Sequence, residues 1–371
     1  MSQAILFSSH EQTTFLVDLP ESIGSAQGGG RIYSSLPVVT PFVTPEPKGS
    51  KRDAFIAKLP QDHVAHHNEI QSHCERALTA VEDFPAIRQW CLPRMQSLGD
   101  DSVAIEPATA ASQSTPCLPL VLSSMQNDFV SVHDIQNELV HNDNTRTAYL
   151  VFKDNASMLV PGHSTFMWSS VERGLNLMSA KTSTVYGKHH QFDLILMDPP
   201  WANRSVRNSQ KYHTSEEQWS DPFEKALPFI DYLSQSDGHA AIWITNKAAI
   251  RDQVLAAMAQ RGLHLVEEWI WLKITIKGEP ITPLNGVWRK PYELLLIFGR
   301  VHTTATPTRR VIVAAPDMHS RKPNLKSLFE KLFRAHRVLE LFARNLTSGW
   351  WCIGDEVLKF QDTRLWHKHP P

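Results

Sequence analysis

FDLILMDPPW, residues 192–201, is a short apolar run that ends abruptly in a carboxylate, two prolines and an indole. Its FDLILM stretch (192–197) is apolar on both faces apart from Asp193, which is what a strand buried in a parallel sheet requires. Proline cannot donate to a strand ladder, so the strand must stop at Met197 and leave Asp198-Pro199-Pro200-Trp201 in the loop beyond it. Runs of the same kind recur at STFMWSSV (164–171), HAAIWITN (239–246), LHLVEEWIWLKI (263–274), YELLLIF (292–298), VIVAA (311–315) and VLELFA (338–343). Between them lie helix-patterned stretches at 218–235, 247–261 and 323–335. The last repeats Leu325, Leu328, Phe329, Leu332 and Phe333 on one face, and Gly262 sits where a helix C-cap belongs. Strands alternating with helices predict an α/β fold with a mostly parallel sheet flanked by helices. Ligands of such sheets bind beyond the carboxyl ends of the strands, so the chemistry is expected at Asp198.

Upstream the pattern is different. Residues 1–60 are rich in Pro, Ser, Thr and Gly and read as irregular chain that wraps onto another part of the protein. Residues 64–98 read as helical, with Ile70, Cys74, Leu78, Val81 and Ile87 as an approximate stripe, and Gly99 to Pro116 as a linker. A second helix is expected at about 120–140, and AYLVF with SMLVP (148–161) reads as a hairpin around Lys153–Asn155. These readings divide the chain into a smaller, mostly helical and irregular accessory region, 1–144, and a main domain, 145–371.

The composition, 42% hydrophobic and 20% charged over 371 residues, suffices for one large core or two ordinary ones. No run is long and apolar enough to span a bilayer, and the N-terminus lacks the marks of a signal or transit peptide, so an intracellular protein is expected. Cys74, Cys91, Cys117 and Cys352 form no CxxC pair, and the 18 histidines show no ligand spacing, so no metal is expected. Charge is uneven. Residues 1–130 carry 8 basic and 14 acidic side chains, whereas 281–345 carry 12 basic and 4 acidic. A basic stretch of that kind is the footprint of a polyanion, although many such stretches are only solvated surface.

The loop after Met197 has specific chemical uses. An exocyclic ring amine such as N6 of adenine is a poor nucleophile, because its lone pair is delocalised. Asp198 can accept one of its hydrogens and the Pro199 carbonyl the other, which localises the lone pair. The diproline makes that loop rigid. Trp201 can stack on an extruded base, or serve simply as a core residue.

DPPW at the end of such a strand resembles the signature of the adenine-N6 methyltransferase family that includes the catalytic subunit of the messenger-RNA adenosine methyltransferase. The branch called methyltransferase-like protein four is the nearer match. The resemblance is carried by DPPWANRSVRNSQKYH (198–213), WITN (243–246), EEWIWLKIT (267–275), RKPYELLLIFGR (289–300), HSRKP (319–323), LELFARN (339–345) and GDEVLKFQ (354–361), in the same order. It covers roughly residues 145–362. It implies a Rossmann-like methyltransferase with permuted motif order, the catalytic strand preceding the cofactor strand. LELFARN fits the latter but has Ala343 and Arg344 where glycines are usual.

Several roles follow from the resemblance. The cofactor is S-adenosyl-L-methionine, held by Asp198, Ser169, Ser170, Val171, Lys322, Glu340, Phe342, Arg344, Asp355 and Glu356. Asp355 stands where Asn is common, Ser170 where an acid is typical, and Lys322 reads equally well as a surface lysine. Asp198, Pro199, Pro200 and Trp201 are the catalytic set. Tyr212 falls near the target base. Asn203, Arg204, Arg207 and Lys211 read as substrate contacts or as a solvated loop. The implied activity is N6 methylation of adenine in nucleic acid: adenosine of small nuclear RNA, including adenosine with a 2′-O-methyl ribose. DNA adenine methylation, and an inactive RNA-binding partner subunit, are the alternatives. The nucleus and a monomeric enzyme are expected.

Overall fold

The computed structural model describes residues 4–84, 89–96, 119–154, 156–185, 191–201, 221–301, 306–318 and 321–367. In chain order the strands are β1 (Ile5–Ser8), β2 (Thr14–Val17), β3 (Arg31–Ile32), β4 (Leu120–Leu122), β5 (Gln126–Phe129), β6 (Leu139–Asn142), β7 (Ala148–Phe152), β8 (Ser157–Val160), β9 (Thr165–Trp168), β10 (Leu194–Met197), β11 (His239–Ile244), β12 (His264–Lys273), β13 (Tyr292–Gly299), β14 (Thr308–Ala314), β15 (Val338–Leu341), β16 (Trp351–Gly354) and β17 (Trp366–His367). The α-helices are α1 (Leu19–Ala26), α2 (Ser50–Ile56), α3 (Gln61–Glu82), α4 (Val171–Val185), α5 (Pro222–Ala226), α6 (Ala248–Ala259) and α7 (Lys326–Phe333).

The chain forms two compact units, and neither ends at residue 144. One draws on residues 1–102, 245–333 and 363–371, the other on 103–244 and 334–362. The expected accessory region is thus not a unit of its own. Its first part joins strands β12–β14, and its last part joins strands β9–β11.

The second unit carries the strand order β11-β10-β15-β16-β9-β6-β4. From β11 to β9 every pairing is parallel, while β6 runs antiparallel to β9 and parallel to β4. β10 is buried along its whole length, as its continuous LILM run requires. The turn from β9 into α4 is tight. A Cβ on Gly174 would lie 2.6 Å from Cγ2 of Ile353, so glycine lets the helix close onto β16. The 148–161 hairpin forms as read, with β7 antiparallel to β8.

The first unit is a mixed sheet, β1-β2-β14-β12-β13. β2, β14 and β12 are parallel, and β1 and β13 are antiparallel to their neighbours. The stripe on α7 packs as expected: Trp269 of β12 is fully buried and stacks on Phe329 at 5.2 Å and Phe333 at 6.0 Å. α6 ends at Ala259, and Gly262 shortly after it has a φ of +68°, the left-handed conformation that turns the chain away from the helix. Glu268 on β12 is buried yet ionised. Burial pushes its carboxyl up, but His66 at 2.8 Å, Arg309 at 2.8 Å and Arg251 at 3.6 Å outweigh that and hold it at about 2. This cluster ties α3 to the sheet.

Four expectations fail. The helix at 120–140 is instead β4, β5, a short 3-10 turn and β6, because strand pairing overrides the helical spacing of Leu122, Met125, Phe129, Val132 and Leu139. The helix at 64–98 starts at Gln61 and stops at Glu82, shortly before Pro85 in the sequence, whose ring disfavours helix in the residue before it. Residues 1–60 are more regular than their composition suggests. β2 enters the sheet beside β14, and Asp18 caps α1 by accepting from Glu21 N at 3.0 Å. The 218–235 stretch is likewise broken, into α5 and a 3-10 segment at Leu227–Tyr232.

Candidate active site

Register alone assembles the site. Met197 of β10 pairs with Leu341 of β15, Leu341 with Ile353 of β16, and Gly354 with Trp168 of β9. The residues that follow, Asp198, Phe342, Asp355 and Ser169, therefore emerge side by side at the carboxyl edge of the second unit's sheet. This is where a doubly wound sheet binds its ligand. A cleft of about 260 Å³ opens there, lined by Ser170, Val171, Pro200, Phe342, Arg344, Asp355 and Glu356 among others.

Arg344 organises the charge. Its Nη1 donates to Oδ2 of Asp198 at 2.8 Å, and its Nε donates to Oε2 of Glu356 at 3.1 Å. Lys359 closes the chain on the other Glu356 oxygen at 2.6 Å. The side chains of Asp198 and Arg344 are 18% and 20% exposed, so this pair is shielded well beyond a surface salt bridge. Glu340 lies on β15 between β10 and β16 and is half-buried. Burial, then the nearby Asp198 charge, push its carboxyl up to about 8 against the pull of Arg344.

The DPPW loop is rigid for identifiable reasons. Trp201 N donates to Pro199 O at 2.8 Å, a three-residue turn centred on Pro200, whose ring fixes the required φ. That bond uses one lone pair of the Pro199 carbonyl and leaves the other. Trp201 is only 9% exposed; it packs on Phe223 at 5.4 Å and donates its indole N–H to Trp243 O at 2.8 Å. The structure thus makes Trp201 the anchor of the loop, with little ring surface left for the stacking read from sequence.

Residues 192–356 match the MT-A70 family. The chain is 33% identical to the N6-methyladenosine RNA methyltransferase MTA1 of Cryphonectria parasitica, over 98% of this chain and 94% of that one. It is 31% identical to the protein of the same name from Pyricularia oryzae, over 99% of this chain and 97% of the relative. It is also 31% identical to the human N(6)-adenine-specific methyltransferase METTL4, over 62% and 49% of the two chains. The chain belongs to the MT-A70 family.

The MT-A70 match includes Asp198–Trp201, Lys322, Glu340, Phe342, Arg344, Asp355 and Glu356, whereas Ser169, Ser170 and Val171 lie before it. Those of them that belong to the second unit lie at the same edge. Ser170 Oγ accepts from Arg173 N at 3.3 Å in the first turn of α4, and the buried Ser169 hydroxyl has no partner among the described residues. Lys322 belongs to the other unit, where its Nζ lies 3.0 Å from Glu293. Glu293 also takes Lys273; burial pushes this carboxyl up, but the two lysines hold it at about 2. Asn203, Arg204, Arg207, Lys211 and Tyr212 lie outside the described residues.

Sequence reasoning leaves out Gly354, Lys359 and Trp243, and it does not show the backbone of Phe342. Phe342 adopts φ +59°, the left-handed backbone that a glycine-rich turn would adopt without strain. The glycine that geometry demands is instead Gly354 on the neighbouring strand, where a Cβ would lie 2.6 Å from Ala343 O. Lys359 lies within GDEVLKFQ and Trp243 within HAAIWITN, and nothing in the sequence marks either as part of the site.

Proposed function

We propose that this protein is an S-adenosylmethionine-dependent methyltransferase that methylates N6 of adenosine in RNA. The observation that carries the reading is the Asp198–Arg344–Glu356 chain at the carboxyl edge of a permuted α/β sheet. The two relatives matched over nearly their whole length bear the name of RNA N6-methyladenosine methyltransferases, which favours RNA. A protein of Caenorhabditis elegans named as a DNA N6-methyl methyltransferase is 28% identical over 58% of this chain, and it keeps DNA as the second reading.

The donor set suits the cofactor. The carboxylates of Asp198, Asp355 and Glu356 outnumber Arg344 and Lys359 even with Glu340 holding its proton, so the edge favours a cationic ligand, and carboxylates suit ribose hydroxyls. When bound, the cofactor supplies a methyl group already activated on a sulfonium. The chain supplies the rest. Asp198 accepts one N6 hydrogen and the free lone pair of the Pro199 carbonyl accepts the other, so the nitrogen lone pair is turned towards the reacting carbon. Arg344 orients Asp198 before the substrate arrives, so no reorganisation is needed at the moment of transfer. Trp201 and Pro200 fix the distance between the two acceptors.

The test is methyl transfer from labelled cofactor to matched oligonucleotides containing adenosine, 2′-O-methyladenosine or deoxyadenosine, with the product identified by mass spectrometry. N6-methylated adenosine in the RNA arms supports the reading, and preference for 2′-O-methyladenosine supports a small nuclear RNA target in the nucleus. No N6-methyl product in any arm overturns the reading.

A further inference from the structure

The first unit exposes one tryptophan in a setting that nothing in the catalytic loop explains. Trp288 is 56% exposed and is the only exposed tryptophan among the described residues. Large aromatic rings are mostly withdrawn from water, and tryptophan is enriched among the residues that carry binding energy at contact surfaces.

The loop around it is tightly tied. The Glu46 carboxylate accepts from Val287 N at 2.6 Å, Trp288 N at 3.1 Å and Arg289 N at 3.1 Å. Burial pushes this carboxyl up, but the three amides and Lys290 outweigh it and keep it below the usual carboxylate range. Lys290 Nζ crosses back to Gly286 O at 2.5 Å, and Arg52 Nη2 reaches Asn285 O at 3.3 Å. Gly286 allows the closure, since a Cβ there would lie 2.6 Å from Arg289 O. Phe55 of α2 lies nearly perpendicular to the indole, at 78° with centroids 6.4 Å apart, so this contact is not a parallel stack.

The charge around the ring is basic. Residues 46–53 and 286–290 carry Lys48, Lys51, Arg52, Arg289 and Lys290 against Glu46 and Asp53, and Glu46 is already spent on backbone amides. An indole more than half exposed on a tied loop among cations fits a nucleic-acid strand. Every base has a face to stack, and every linkage carries a phosphate for Arg or Lys. A neutral protein partner would not call for the cations.

We propose that Trp288 is a stacking platform for single-stranded nucleic acid, taking a base other than the reacting adenine while Arg289, Arg52, Lys51 and Lys48 neutralise the adjoining phosphates. The proposal rests on the reading of the protein as a nucleic-acid methyltransferase and assigns it a binding site outside the catalytic loop. It predicts that the strand is gripped through Trp288 without regard to base identity, because stacking is tolerant of sequence.

The test is fluorescence anisotropy of labelled 12-nucleotide single-stranded RNA and DNA on the full chain, paired with steady-state methylation. Trp288→Ala should weaken binding about tenfold and raise KM by a similar factor with kcat unchanged, and Trp288→Phe should restore most of the affinity. Arg289→Ala should lower the salt slope by about one phosphate. Unchanged Kd and KM in Trp288→Ala overturn the proposal while leaving the methyltransferase reading intact, because wild-type turnover is measured alongside. A wild-type protein that binds strands but transfers no methyl group overturns only the catalytic reading. Loss of self-association in Trp288→Ala, with oligonucleotide affinity unchanged, would mark the ring as a contact between copies of the chain and overturn the proposal too.

Discussion

Arg344 Nη1 lies 2.8 Å from Asp198 Oδ2, joining the strand that reads as catalytic to the one that reads as cofactor-binding. β10 and β15 are neighbours in the sheet but 140 residues apart in the chain, so only the folded protein makes this link. The same guanidinium holds Glu356 through Nε, so one side chain sets the position of two carboxylates.

Replacing it tests that role. Arg344→Ala strips the counter-charge from Asp198 and should lower kcat/KM by roughly 100-fold, the scale of one preorganised charged contact. Arg344→Lys should recover only part, because an ammonium cannot fork to two carboxylates as a guanidinium does. Steady-state kinetics on an adenine oligonucleotide decide it; a change under about threefold in Arg344→Ala would show that Asp198 needs no partner.

Glu340 gives the site a pH signature. Its carboxyl titrates at about 8 in the folded protein, raised by burial and by Asp198. An unfolded glutamate titrates near about 4.3. Between those values the native state retains a proton that the unfolded chain has lost, so stability falls as pH rises through the window. Glu340→Gln cannot ionise and should escape the fall. Urea unfolding of the protein without ligand should show the mutant gaining on wild type from about pH 5 to about pH 8, with the gap smallest at the acid end. Parallel stability curves would mean that Glu340 is ionised at neutral pH.

Gly354 is predicted to be a geometric requirement of the cleft. An alanine there would place its Cβ 2.6 Å from Ala343 O and 2.9 Å from Ala343 N, both backbone atoms that cannot step aside. Gly354→Ala should destabilise the protein by about 1–3 kcal/mol and reduce cofactor-induced stabilisation. Thermal melts with and without S-adenosylmethionine read both effects, and a mutant with wild-type melting and wild-type cofactor shift would refute the close approach.

What the sequence made legible follows the strength of local signals. Leu194–Met197 reads as a buried strand because nothing in it fits water, and DPPW marks its end unambiguously. Residues 120–140 read as a helix because Leu122, Met125, Phe129, Val132 and Leu139 recur at helical spacing, and only the pairing of β4 with β6 and of β6 with β9 decides otherwise. At the site, residue types were readable but pairings were not. Glu340 and Arg344 stand out in LELFARN, yet Asp198 is the partner of Arg344 only through the parallel register of β10 and β15. Trp201 shows the converse. Its chemistry suits stacking on a base, but the carbonyl of Trp243 and the ring of Phe223 claim it first. Phe342 at φ +59° gives no sign in the sequence, because a bulky residue there is the least expected choice.

The central claim is that Asp198 supplies the electrostatic stabilisation for methyl transfer to N6. Asp198→Asn keeps the size and one acceptor oxygen, loses the charge, and breaks the ion pair with Arg344. The direct measurement is single-turnover methylation of an adenine-containing oligonucleotide by wild type and mutant at saturating cofactor. Loss of one such contact costs about 3–4 kcal/mol, so the mutant rate should fall by a factor of roughly 10²–10³ while the melting temperature without ligand barely moves. A mutant that retains more than about a tenth of the wild-type rate would contradict the account.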